Sequence, residues 1–125
     1  MESRLYIEGT QLTPEIDFDV EVLKFRISGR SMPENSEKFY NQIIFWMRDS
    51  LTERSVKANL DVSLDYYNTG SFIRLMAIFN LLHELNGSGN EFSVRWLCEE
   101  DDEDNKADGL SFKEVVKIPF EIIEI

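Results

Sequence analysis

Two hydroxyls, one thiol, one imidazole and a run of carboxylates are the side chains from which this chain could build chemistry. Thr69 and Ser71 lie in Asn68-Thr69-Gly70-Ser71, where an alternating apolar pattern gives way to a helical one. Side-chain oxygens of Asn, Thr and Ser accept hydrogen bonds from the free N–H groups that open a helix. A phosphate placed there carries about −1.5 to −2 charges near pH 7. The helix dipole and the free N–H groups would stabilise it by ~0.3 to 2 kcal/mol. Thr69 is therefore a candidate for modification and Ser71 the alternative acceptor. Simple N-capping is the other role open to Thr69.

The remaining groups do not assemble into a catalytic set. His83 is the sole histidine, set between Leu82 and Glu84, and no spacing ties it to Cys98 or to a serine as nucleophile and base require. Cys98 alternates in phase with Trp96, which predicts a buried, inert thiol. The acidic run 101–108 fails the calcium-loop frame, which needs glycine at its sixth position and glutamate at its twelfth. It reads as a solvated acidic loop, open to a basic patch on a partner. There is no phosphate-cradling glycine loop and no zinc spacing. The sequence thus predicts no enzyme, no metal and no cofactor.

With 125 residues, the chain is read as a single domain spanning 1–125, long enough for one core without disulfide or metal. Its formal net charge of −11 argues against nucleic acid and against an anionic membrane surface, both of which would repel it. No long uncharged apolar run and no secretory signal are visible, and the lone Cys98 permits no internal disulfide. A cytoplasmic protein whose partners are proteins is the expectation.

The elements that must position Thr69 follow from hydrophobic period. Over 56–66 every even position is apolar (Val56, Ala58, Leu60, Val62, Leu64, Tyr66) and the odd ones between are polar, the mark of a strand with one buried face. Short strands are predicted over 5–7, 15–19 and 22–28, the last two forming a hairpin. Ser31 and Glu34 have capping-box spacing with Pro33 in the first turn, so a helix is expected from there to about Thr52-Glu53, with Phe39, Tyr40, Ile43, Ile44, Met47 and Leu51 on its stripe. A second helix is expected over 72–85, a strand over 91–99, a short helix over 111–116 and a last strand over 118–125. Strand–helix–strand succession with short links implies parallel strands with right-handed crossovers. A sheet covered on both faces would show continuous apolar runs rather than alternation. The fold class predicted is α/β: a two-layer sandwich on a mixed sheet, with helices on one face and the other face open and polar.

The second helix carries Phe72, Leu75, Met76, Phe79 and Leu82 as its core stripe. Ile73, Ala77 and Leu81 form another stripe at i, i+4, i+8, in line with Thr69 one turn above. A helix covering one sheet face does not need that second stripe, so it is read as a partner-binding face with Thr69 at its gate.

Several stretches in order, over nearly the whole chain, resemble the SiaC family of bacterial regulatory phosphoproteins. They are Ile7-Glu8-Gly9-Thr10, Thr13-Pro14-Glu15-Ile16-Asp17-Phe18-Asp19, Ile27-Ser28-Gly29-Arg30-Ser31-Met32-Pro33-Glu34-Asn35, Phe39-Tyr40, Tyr66-Tyr67-Asn68-Thr69, Trp96, Asp102-Glu103-Asp104, Gly109 and Pro119-Phe120. The resemblance implies a fold similar to STAS domains of anti-sigma-factor antagonists. It also implies a phosphothreonine at Thr69, set by a partner protein kinase and removed by a PP2C-type phosphatase. The unphosphorylated form would bind and activate a diguanylate cyclase, raising cyclic-di-GMP and favouring biofilm. Around the phosphosite (Asn68, Gly70, Ser71, Arg74) the chain departs from the family pattern. Gly70 stands where serine is usual, Phe72 where lysine is usual, and Arg74 is the nearest cation. Ala107 and Leu110 stand where the family has glutamates. The alternative to a phospho-switch is a constitutive scaffold or subunit of the same fold that is never phosphorylated.

Overall fold

The computed structural model describes residues 3–125. Six strands form one sheet in sequence order: β1 Arg4–Ile7, β2 Glu15–Asp19, β3 Lys24–Ser31, β4 Lys57–Tyr67, β5 Glu91–Cys98 and β6 Phe120–Glu124. The β1–β2 and β2–β3 pairs are antiparallel, and β3 through β6 run parallel. Helices α1 Ser36–Leu51, α2 Thr69–Gly87 and α3 Glu103–Val115 make the crossovers. Right-handed crossovers on one face make the three helices parallel to one another and antiparallel to the strands they join.

Alternation in the strands sets the layers. Phe25 and Ile27 of β3, Leu60, Val62 and Leu64 of β4, and Phe92, Val94, Trp96 and Cys98 of β5 all point under the helices and are buried. Each such side chain contributes about 1.5–3 kcal/mol on burial. The opposite face is polar and ordered by charge. One transverse row reads Tyr6, Asp17, Arg26, Asp61, Arg95, Glu121, one residue per strand in direct register. Signs alternate along it from Asp17 to Glu121, and opposite charges on adjacent strands stabilise the pairing. Arg95 holds Asp61 through two bonds of 2.7 Å, and Asp17 is clamped by Arg4 and Lys24 at 3.1 Å. An open sheet face is thus kept wet and specific without a covering layer.

Three local features differ from the sequence expectation. The first helix does not begin at the Ser31 box: Asn35 caps α1, accepting from Lys38 N at 3.0 Å, while Ser31 ends β3 and is fully buried. Two residues of β4, Asp65 and Tyr66, stand against Arg30 alone, a bulge that shifts the register. One extra residue reverses the facing of everything beyond it. Tyr66 therefore points to solvent and Tyr67 turns inward against Trp96, with ring centroids 5.8 Å apart. The second helix starts at Thr69 rather than Phe72.

The acidic run is a loop only as far as Asp102 and is helical from Glu103. Asp102 caps α3 by accepting from Asn105 N at 3.1 Å, and Glu103 and Asp104 occupy its first turn, where the dipole favours them. Among the described residues no group of His, Cys, Asp and Glu could hold a metal ion, and no helix is long and apolar enough to cross a membrane. Cys98 is buried, which pushes its thiol pKa up, and His83 is exposed on α2.

Candidate functional site

β4 and α2 meet at Asn68, and the corner is built by that residue's own groups. Its backbone is extended, with φ −86° and ψ 174°. Its amide donates to Ser31 O at 3.0 Å, tying the corner to the end of β3. Its side-chain oxygen accepts from Ser71 N at 2.9 Å, and its carbonyl accepts the first helical bond from Phe72 N at 3.0 Å. The capping work is therefore complete without Thr69. Thr69 occupies the first helical position, exposed, and among the described residues its hydroxyl has no hydrogen-bond partner.

Ser71 has the opposite fate. It is fully buried, donating its hydroxyl to Ser31 O at 2.9 Å and lying 2.7 Å from Ser31 Oγ. Ser31 Oγ in turn lies 2.5 Å from the Tyr40 hydroxyl. Burial raises the Tyr40 phenol pKa against the opposing pull of these two serines. Ser71, the alternative acceptor, thus joins β3, α1 and α2 from inside the fold and offers no oxygen to an enzyme. Gly70 lets the helices meet: a Cβ there would come within 2.6 Å of Ser36 Oγ at the start of α1.

A cleft lined by Tyr67, Asn68, Thr69, Phe72 and Asp108 opens at this corner. Tyr67 donates its hydroxyl to Asp108 Oδ2 at 2.6 Å, with Asn105 Oδ1 at 3.4 Å. Burial first, and the Asp108 bond next, hold the Tyr67 phenol far above its usual range. Phe72 stacks on Phe112 at 4.4 Å, so the position where the resemblance places a lysine instead fastens α2 to α3. Arg74 does not replace that cation. Five residues beyond Thr69, it lies about 140° around the helix from it. The cleft residues include no positive charge, only Asp108.

The second stripe of α2 is shorter than the spacing suggests. Ile73 is 52 % exposed and Ala77 half-buried, but Leu81 is only 2 % exposed and belongs to the core. The reason is lateral. α1 packs along α2, with Arg48 bridging Glu84 at 2.9 Å, so the lower turns of α2 are enclosed on that flank as well as beneath. On α1, Phe45 is 72 % exposed. Its position between the polar Asn41-Gln42 and Arg48-Asp49 pairs was the signal available for it. Asp108 carried no such signal, because its neighbours in the cleft come from 41 residues away.

Residues 7–125 match the model of the SiaC family, regulatory phosphoproteins. The chain belongs to this family. An uncharacterized protein of Pseudomonas aeruginosa (strain UCBPP-PA14) is 35% identical over 120 residues, covering 96% of this chain and 95% of its own. The crystal structure of apo-SiaC from Pseudomonas aeruginosa superposes with a TM-score of 0.86 at 34% identity, covering 98% of this chain and 99% of that one. SiaC in the crystal structure of the diguanylate cyclase SiaD in complex with its activator SiaC, from the same species, gives 0.88 at 34% identity over 97% and 99%. The two-layer STAS-like architecture is that of the family, and the chain is a regulatory protein rather than an enzyme.

Proposed function

We propose that this SiaC-family chain is a cytoplasmic, phospho-switched activator of a diguanylate cyclase. In this reading the unphosphorylated form binds the cyclase and raises cyclic-di-GMP. A partner kinase phosphorylates Thr69 and blocks binding, and a PP2C-type phosphatase restores it. The observation that carries the reading is the Thr69 hydroxyl: exposed, without a hydrogen-bond partner among the described residues, and relieved of capping by Asn68. Support for the cyclase comes from the 34% identical SiaC that is described as the activator of SiaD. The apolar residues left open on the outer helical surface, Ile73 with Ala77 on α2 and Phe45 on α1, are the docking surface proposed here, with Leu81 beneath it.

The physics of the switch is local. Two further charges hardly alter the field of a chain at −11. A phosphate at the first turn of α2 is tolerated by the isolated protein. Burying it against a partner without a matching cation costs several kcal/mol, and ~4 kcal/mol corresponds to about a thousandfold in affinity. The test is binding of the organism's own cyclase to wild type, Thr69→Ala, Thr69→Asp and the phosphorylated protein. Thr69→Ala should bind like wild type, and Thr69→Asp and the phosphoprotein should not. Equal binding by all four would favour a constitutive scaffold.

A further inference from the structure

The cleft beside Thr69 joins the acceptor to a second helix, and the joint is specific. Phe72 and Phe112 stack at 4.4 Å, pinning α2 to α3 at one level. Thr69 lies one turn above Phe72, and Asp108 one turn above Phe112. Because the two helices run parallel, Thr69 and Asp108 face one another across the cleft that both line. Asp108 is not free to turn aside. Its Oδ2 accepts the Tyr67 hydroxyl at 2.6 Å, and Tyr67 would otherwise keep only a 3.4 Å contact to Asn105.

α3 is also held to β6 by the Lys106–Glu124 ion pair and to the core by three residues. Asn105 accepts from Trp96 Nε1 at 2.9 Å and donates to Leu64 O at 3.1 Å. Gly109 lies flat on Trp96, with a would-be Cβ only 2.5 Å from Trp96 Cδ1. Phe112 fills the space between Phe72, Phe79 and Trp96.

Resting on the reading of Thr69 as a phosphoacceptor, we infer that Asp108 is the residue through which the phosphate is felt, and that α3 is the element that responds. A phosphate on Thr69 meets a carboxylate instead of a cation. The repulsion is relieved by breaking the Tyr67–Asp108 bond, which loosens α3 from the end of β4. Leu110 and Val115, exposed on α3, move with it, so the outer helical surface changes shape as well as charge. The phosphorylated state is therefore marked twice, by the new anion and by a displaced helix. With Phe72 where the resemblance places a lysine, no cation lines the cleft that receives the anion.

Hydrogen exchange of the full chain, read by mass spectrometry on peptides from α3 and α1, tests this. The protein is phosphorylated on Thr69 enzymatically or by incorporation of phosphothreonine. Phosphorylation should speed exchange across α3 about tenfold, the factor set by one like-charge contact at a half-exposed site. Exchange in α1 should be unchanged. Asp108→Asn, which keeps an acceptor for Tyr67 but no charge, should abolish most of the increase. Unchanged α3 exchange in wild type, or an equal increase in Asp108→Asn, overturns the inference. Should Asp108→Asn loosen α3 by itself, salt decides. An increase in wild type that shrinks as NaCl rises to about 1 M supports repulsion, and a salt-independent one overturns it. Cyclase binding measured on the same samples separates the two readings. Lost binding with flat α3 exchange sinks only the α3 mechanism, whereas faster α3 exchange with retained binding sinks only the switch.

Discussion

Thr69→Ala and Ser71→Ala should produce opposite phenotypes, although the two residues are separated only by Gly70. The Thr69 hydroxyl touches no partner among the described residues and is exposed, so its loss should change stability by no more than about 0.5 kcal/mol in either direction. Any shift should be upward, because Ala is the better helix former. Ser71→Ala removes a hydroxyl bonded to Ser31 O at 2.9 Å and set 2.7 Å from Ser31 Oγ, all fully buried. Ser31 Oγ keeps Tyr40, but the Ser31 carbonyl is left with only the Asn68 amide. Losing a buried hydrogen bond whose acceptor keeps another partner costs ~0.5–1.5 kcal/mol. For a chain of this length that lowers Tm by about 3–5 °C per kcal/mol. The assay has two arms. Urea unfolding followed by tryptophan fluorescence gives the stabilities. Intact-mass analysis after incubation with the kinase and ATP gives phosphate incorporation. Thr69→Ala should unfold like wild type and gain no phosphate; Ser71→Ala should unfold early and still be phosphorylated. Phosphate retained by Thr69→Ala but lost by Ser71→Ala would refute the assignment. Thr69→Ala proving as destabilised as Ser71→Ala would refute the division of labour at the corner.

Two further substitutions probe the frame around the site. Gly109→Ala drives a methyl to within 2.5 Å of Trp96 Cδ1 and 2.8 Å of Ile122 Cδ1, an overpacking of ~1–3 kcal/mol set against ~1 kcal/mol of helix propensity. Gly87→Ala, with nothing within 4 Å, should instead gain ~0.4–1 kcal/mol. Thermal unfolding of the pair should therefore move in opposite directions. On the open face, the hydrogen bond from Arg4, with help from Lys24, holds the Asp17 carboxyl below its usual range. Its contribution is therefore present above the ordinary carboxylate value of ~3.9 and fades as pH falls through the lower folded value. Asp17→Asn should be less stable than wild type at pH 7, and the gap should close on acidification below about pH 4. Urea midpoints across that range would check it.

What period alone determined was the layering. Alternation through Leu60, Val62 and Leu64 requires one wet face, and helical spacing in α1 and α2 requires a single helical layer above the other. The position of a hydroxyl at the β4–α2 corner was equally legible, because Asn, Thr and Ser before an apolar helix are local signals. The extent of α3 was available too, since Asp102 three residues before Asn105, with Glu103 and Asp104 following, is a helix-start pattern. By composition alone the same run reads as a loop.

Tertiary structure alone decided which hydroxyl is free. Thr69 and Ser71 are alike in type, and neither propensity nor period separates them. Ser31, Tyr40 and Ser36 separate them, brought against the corner from 29 to 40 residues away. The bulge opposite Arg30 is likewise silent in one strand's sequence, because it is a mismatch between two, yet it turns Tyr67 toward Asp108. Local order follows from the backbone's own periods. Which side chain remains exposed depends on what the rest of the chain packs against it.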